Sequence, residues 1–178
     1  MDPEALIHRI YARQPELKAL LLLHSRQVAD LSIEICDRHP ELRLDRRFLY
    51  EAAMLHDIGI IHTHAPGILC RGTAPYICHG MIGGQMLRHE GFPRHARVAE
   101  RHTGTGLTVK QIASQNLPLP RRDFSPQTME EQVICYADKF YSKSKPEVVK
   151  SIAQVEKSLS RFGEESLERF RQWHALFS

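Results

Sequence analysis

A chain of 178 residues, 42% hydrophobic and 25% charged, has the makeup of a folded protein and excludes a disordered one. A net charge of +3 is too small and too dispersed to mark a nucleic-acid-binding protein, yet it permits a locally basic pocket. The four cysteines, Cys36, Cys70, Cys78 and Cys135, form no C-x-x-C pair. Reduced, buried thiols in a cytoplasmic protein are therefore expected.

The spacing of apolar residues predicts helices along most of the chain. Asp2 can cap a first helix from Pro3 to Arg13, with Pro3 at the tolerated first position. Pro15 opens a longer helix to about Arg38, where Leu20, Leu23, Val28, Leu31 and Ile35 recur at helical spacing. Its longest apolar run, Ala19 to Leu23, is too short to span a bilayer. Asp45 can cap a third helix through Leu55, stopped by Gly59. Pro66, Gly67, Gly72 and Pro75 make the stretch from Ile60 to Pro75 an irregular loop.

Tyr76 to His89 reads as a helix closed by Gly91, and Pro93 starts another that ends near Thr103-Gly104. Thr108 with Gln111, Thr128 with Glu131 and Ser144 with Glu147 each match a capping box and predict three further helix starts. A proline-rich loop fills Leu117 to Gln127, and a last helix follows Gly163, with Trp173 and Phe177 expected against the bundle. No strand-like alternation of convincing length appears. One all-α domain over residues 1–178 is the expectation, with a core at about 20–143 and C-terminal helices at 144–178 packed on it.

His56-Asp57-Ile58-Gly59 lies where the third helix ends, with His24 upstream and His79, His102 and Asp138 downstream. Adjacent helical residues point about 100° apart, so a His-Asp pair converges on one centre only where the backbone leaves the helix. Gly59 is expected to supply the freedom for that turn. Imidazole and carboxylate groups together suit borderline divalent metals, and Asp57 has two oxygens with which to bridge two cations. Such a centre can hold a phosphate and generate hydroxide near neutral pH. His56 and Asp57 are the expected catalytic pair, with Asp57 or a neighbouring carboxylate taking the proton of water. His62 and His64 are expected to be solvated.

The set His24, His56-Asp57 and Asp138 resembles the ligand signature of the HD-domain superfamily in its H-D-I-G variant. His79-Gly80-Met81-Ile82-Gly83-Gly84, Arg101-His102-Thr103-Gly104 and Ala137-Asp138-Lys139 look like the further histidines and closing aspartate of its dinuclear branch. That branch includes bacterial HD-type diadenosine-tetraphosphate hydrolases, cyclic-dinucleotide phosphodiesterases and CRISPR-associated HD nucleases. The resemblance implies an HD helical bundle and a divalent metal pair, iron or manganese first, with zinc, nickel, cobalt and magnesium as alternatives. It also implies hydrolysis of a small phosphorylated substrate such as a nucleotide.

Many HD phosphohydrolases carry a basic residue directly after this motif, where this chain has Ile60. Arg26, Arg71, Arg101, Lys139 and Lys143 are the candidates to meet phosphate instead. Two other readings stay open, an HD-type di-iron oxygenase and a non-catalytic nucleotide-binding module.

Overall fold

The computed structural model describes all 178 residues. Two helices open the chain, α1 (Pro3–Ile10) and α2 (Pro15–Arg38), followed by α3 (Arg46–Leu55). Their starts follow from local chemistry: Asp2 accepts the Ala5 amide at 3.0 Å, and Asp45 accepts that of Phe48 at 3.0 Å. Next come α4 (His79–His89), α5 (Pro93–Arg101), α6 (Val109–Ser114), α7 (Met129–Asp138), α8 (Ile152–Leu159) and α9 (Glu164–Phe177). One cluster of 33 buried apolar residues runs from Leu6 to Phe177 and includes Trp173, so α8 and α9 close over the core that α2, α3, α5 and α7 share. Burial of each large aliphatic or aromatic side chain contributes about 1.5–3 kcal/mol. No helix is long and apolar enough to cross a membrane.

Three expectations need correction. The stretch Ile60–Pro75 holds three very short strands, β1 (Thr63–Ala65), β2 (Cys70–Arg71) and β3 (Ala74–Pro75). β1 is central, antiparallel to β2 with His64 opposite Arg71, and parallel to β3 with Thr63 opposite Ala74. Strands of two or three residues leave no alternation to read in the sequence.

No helix starts at Ser144. Residues 141–150 form turns, tied back by Lys150 N–H to Phe140 O at 2.8 Å and by the Gln27 side chain to Pro146 O at 2.7 Å. The capping box that does form is Ser151 with Gln154, seven residues later.

Thr128 caps Glu131 N–H at 3.2 Å, but the Glu131 carboxylate does not reach back to Thr128. It accepts from Gln127 N–H at 2.7 Å and pairs with Arg101 at 2.9 Å. A buried carboxylate is better satisfied by a guanidinium than by one backbone amide.

Candidate metal centre

His56 is the residue on which α3 ends, and Asp57 follows at φ −103°, ψ 10°, outside helical geometry. The chain then runs into a 3-10 turn at Ile58–His62. Tyr11, fully buried, holds that turn by donating to Ile58 O at 2.7 Å and accepting from Ile61 N–H at 3.2 Å. Gly59 does not adopt a positive φ, contrary to the role expected for it. A Cβ there would lie 2.2 Å from His79 O and 2.4 Å from Gly83 N. Its function is close approach, seating the turn on the backbone of α4. Gly80 does the same one layer further, since a Cβ there would meet Ala99 O at 2.5 Å. These two contacts bring His79, at the start of α4, beside His102, at the end of α5.

The six candidate ligands converge in two groups that share Asp57. His24, His56, Asp57 and Asp138 form one, and Asp57, His79 and His102 the other, with all donor atoms of a group within 4.8 Å of one another. Asp57 Oδ2 faces His24 Nε2 at 3.2 Å and His56 Nε2 at 3.1 Å. Its other oxygen, Oδ1, faces His79 Nε2 and His102 Nε2, each at 3.3 Å. Asp138 Oδ1 lies 3.0 Å from His24 Nε2 and 3.5 Å from His56 Nε2. One carboxylate is thus split between two ligand sets.

The imidazole tautomers are set from behind. His56 Nδ1 lies 2.6 Å from Ala53 O, His79 Nδ1 2.7 Å from Tyr76 O and His102 Nδ1 2.8 Å from Ala99 O. Each carbonyl can only accept, so each Nδ1 donates and each Nε2 points at the centre, where its lone pair would be given to a cation. Two such lone pairs, His79 Nε2 and His102 Nε2, then face each other at 3.0 Å. His56 Nε2 and Asp57 Oδ1 are buried without a hydrogen-bond partner, while Asp57 Oδ2 meets the Lys143 ammonium. Unpartnered acceptors of this kind are costly to bury unless a cation meets them. The donor set fits two divalent ions, and the C-terminal ends of α3, α5 and α7 add negative dipole ends at the same point.

The two aspartates and burial pull the proton affinities of the rings in opposite directions. Burial alone would lower His56, but Asp57 and Asp138 outweigh it and push the ring up to about 9. His79 goes the other way, pulled down to about 3, chiefly by burial. Burial also lowers His102.

A cavity of ≈ 640 Å³ opens onto this cluster, lined by His79, Asp138, Tyr76, Lys139 and Lys143 among others. Lys143 Nζ contacts Asp57 Oδ2, and Lys139 Nζ lies 2.8 Å from Asp138 Oδ2 and 3.0 Å from His102 O. The other three basic candidates are elsewhere. Arg26 is exposed and makes a two-pronged pair with Glu4 at 2.9 and 2.8 Å. Arg71 is exposed on β2, and Arg101 is held by Glu131. None of these three lines the cavity. His62 and His64 are exposed. Arg122 reaches Glu100 at 2.9 Å and packs over Phe124, so the proline-rich loop is pinned to α5.

Ile60 is fully buried in the hydrophobic core, so its position does not face the cavity. Two cavity residues outside the expected set, Lys150 and Arg161, were masked by ordinary surface-like surroundings in the sequence. Tyr76, stacked on His79 with ring centroids 4.7 Å apart, carried no signal either.

The fold and the site together define an all-helical protein with a paired His/Asp metal-ligand cluster. The HD domain family matches residues 21–142, and the chain belongs to that family. It is 32% identical over 124 residues to a tRNA (cytidine(56)-2'-O)-methyltransferase of Picrophilus torridus, covering 69% of this chain and 32% of that protein. A methyltransferase of the same description from Thermoplasma volcanium is 28% identical over 160 residues, 89% of this chain and 42% of that one. An uncharacterized protein of Methanocaldococcus jannaschii is 34% identical over 110 residues, 61% and 57% of the two chains. The chain thus spans between a third and just over half the length of these relatives. Among solved structures, the HD domain of the Listeria monocytogenes phosphodiesterase PgpH superposes with a TM-score of 0.55 at 16% identity, covering 94% of both chains. That likeness concerns the fold. None of these matches singles out the dinuclear branch of the superfamily.

Proposed function

We propose that the chain is a metal-dependent phosphohydrolase acting on a small phosphate ester or anhydride, most naturally a nucleotide. The observation that carries the reading is Asp57, whose two oxygens face two separate ligand groups, one reaching a cavity through Asp138 and the other through His79, beside Lys139 and Lys143. His24, His56, Asp57 and Asp138 would hold one cation, and Asp57, His79 and His102 the other. With such ions bound, iron or manganese by preference, the site would have a water of lowered pKa and a polarised phosphorus.

The chain's own groups do the rest. Lys139 and Lys143, partly buried beside the ligands, would neutralise phosphoryl oxygens and the charge that develops in the transition state. The carbonyls of Ala53, Tyr76 and Ala99 fix the orientation of three imidazoles and aim each Nε2 at the cluster. Asp57 is poorly suited to take a proton, because Lys143 and His56 outweigh burial and hold its carboxyl well below the usual range. It acts as the bridge. Asp138, which lines the cavity, is held low in the same way, because Lys139 and the contacts with His24 and His56 outweigh burial, so both carboxylates would serve as metal ligands rather than as bases.

The residue that follows the motif need not be basic here, because two lysines from the C-terminal side of α7 bring the charge. This weakens the oxygenase alternative, which drew its support from Ile60. The methyltransferase names of two relatives do not carry over, since most of each protein lies outside the match. His56→Ala and Asp138→Ala are expected to lose bound metal and turnover of phosphate substrates together. Full metal content with full turnover in either variant would overturn the reading.

A further inference from the structure

The family match ends at residue 142, yet much of the cavity wall comes from beyond it: Lys143, Lys150, Val155, Leu159, Arg161 and Phe162. Four cationic side chains line the cavity, Lys139, Lys143, Lys150 and Arg161, against a single carboxylate, Asp138. Two of the four are matched by aspartates of the metal cluster, Lys139 by Asp138 and Lys143 by Asp57. Lys150 and Arg161 have no carboxylate within ion-pair distance. Lys145 and Lys157, also without one, are exposed and do not line the cavity, whereas Arg169 has Glu165 and Arg171 has Glu156.

Both residues are held toward the cavity by backbone and side-chain bonds. The Lys150 amide donates to Phe140 O at 2.8 Å, folding residues 141–150 back over the end of α7 and setting Lys150 beside Lys139 and Lys143. Arg161, exposed after α8, donates from Nε to Ser158 O at 2.9 Å and from Nη2 to Ser158 Oγ at 3.4 Å, which leaves Nη1 for another partner. Lys150 is half-buried, and burial together with the neighbouring Lys139, Lys143 and Arg161 charges lowers its affinity for a proton. Cations gathered without counter-charge at a cavity mouth favour an anion there.

We propose that Lys150 and Arg161 form a second anion subsite beyond the metal centre, so that the preferred substrate carries two phosphoryl groups. The inference rests on the hydrolase reading for the fate of one of those groups, but not for binding. The phosphoryl group to be cleaved sits at the metal cluster with Lys139 and Lys143, and the other is clasped by Lys150 and Arg161. The apolar wall of Ile68, Tyr76, Tyr141 and Phe162 is left for the organic part.

The test is calorimetric titration of metal-loaded protein, with the same metal in excess in the buffer, using inorganic phosphate and methylenediphosphonate as probes. The wild type is expected to bind the diphosphonate at least about tenfold more tightly than phosphate, since a charge-assisted contact is worth a factor of this order or more. In the Lys150→Met/Arg161→Met double variant that preference should fall to within about threefold. The charge-keeping Lys150→Arg/Arg161→Lys variant should restore it. An equal preference in the Met variant, no preference in the wild type, or loss in the charge-keeping variant as well would overturn the subsite. Absence of turnover on every phosphate tried, with the binding pattern intact, would instead refute the hydrolase reading alone.

Discussion

Gly59→Ala isolates the close packing that assembles the second ligand group. The new methyl would sit 2.2 Å from His79 O, 2.4 Å from Gly83 N and 2.9 Å from Gly83 Cα, all backbone atoms that cannot rotate away. Ordinary contact requires α4 to retreat from the turn by roughly 1 Å, in an interior packed as densely as an organic crystal. Overpacking of this kind costs about 1–3 kcal/mol. With a urea slope of about 1–3 kcal/mol per molar, the midpoint should fall by about 1 M. The retreat carries His79 away from Asp57 Oδ1, now 3.3 Å distant, while His24, His56 and Asp138 belong to helices that need not move. Urea titration with elemental analysis of the same preparation reads both effects. The variant should fold, lose stability and keep about one metal per chain. An unchanged midpoint with full metal content would show that the turn does not position α4.

Glu51 is buried and accepts from the Met1 ammonium at 2.8 Å, Arg47 at 2.9 Å and His95 at 3.2 Å. Burial opposes its charge, but these partners prevail and lower its carboxyl from 4.5 to about 2. Its contribution is therefore complete above the unfolded value and lost as pH falls through the folded one. Glu51→Gln should cost about 1–3 kcal/mol at neutral pH. The gap to wild type should narrow markedly by about pH 3, and urea midpoints that differ equally at both pH values would refute this. Glu131→Ala removes the partner of Arg101 and the acceptor of Gln127 N–H, and should cost about 3 kcal/mol in thermal melts. A loss below about 1 kcal/mol would show that Arg101 finds water instead.

Helix starts were legible at Asp2, Asp45 and Thr108, where donor and acceptor lie three residues apart, but the equally local box of Ser151 with Gln154 was passed over for Ser144. Ser144 has the same pattern, and there tertiary bonds through Lys150 and Gln27 hold the segment out of helical form. The six candidate ligands stood out because their order resembles a known family, and the fold brings them together. Their tautomers could not be read, since those depend on the carbonyls of Ala53, Tyr76 and Ala99. Gly59 was noticed for the wrong reason: a close approach across the fold looks in sequence like a flexible turn. Lys139 and Lys143 were indistinguishable from Arg26, Arg71 and Arg101 until the end of α7 was placed. Lys150 and Arg161 needed the fold-back of residues 141–150 before they faced anything.

The central claim is a pair of cations bridged by Asp57, and metal content tests it most directly. Elemental analysis of wild type and His79→Ala, purified side by side without chelator, should give nearly two metals per wild-type chain and close to one in the variant. One metal or none in both, unchanged by the substitution, would contradict the bridged pair and leave His79 and His102 without their assigned part.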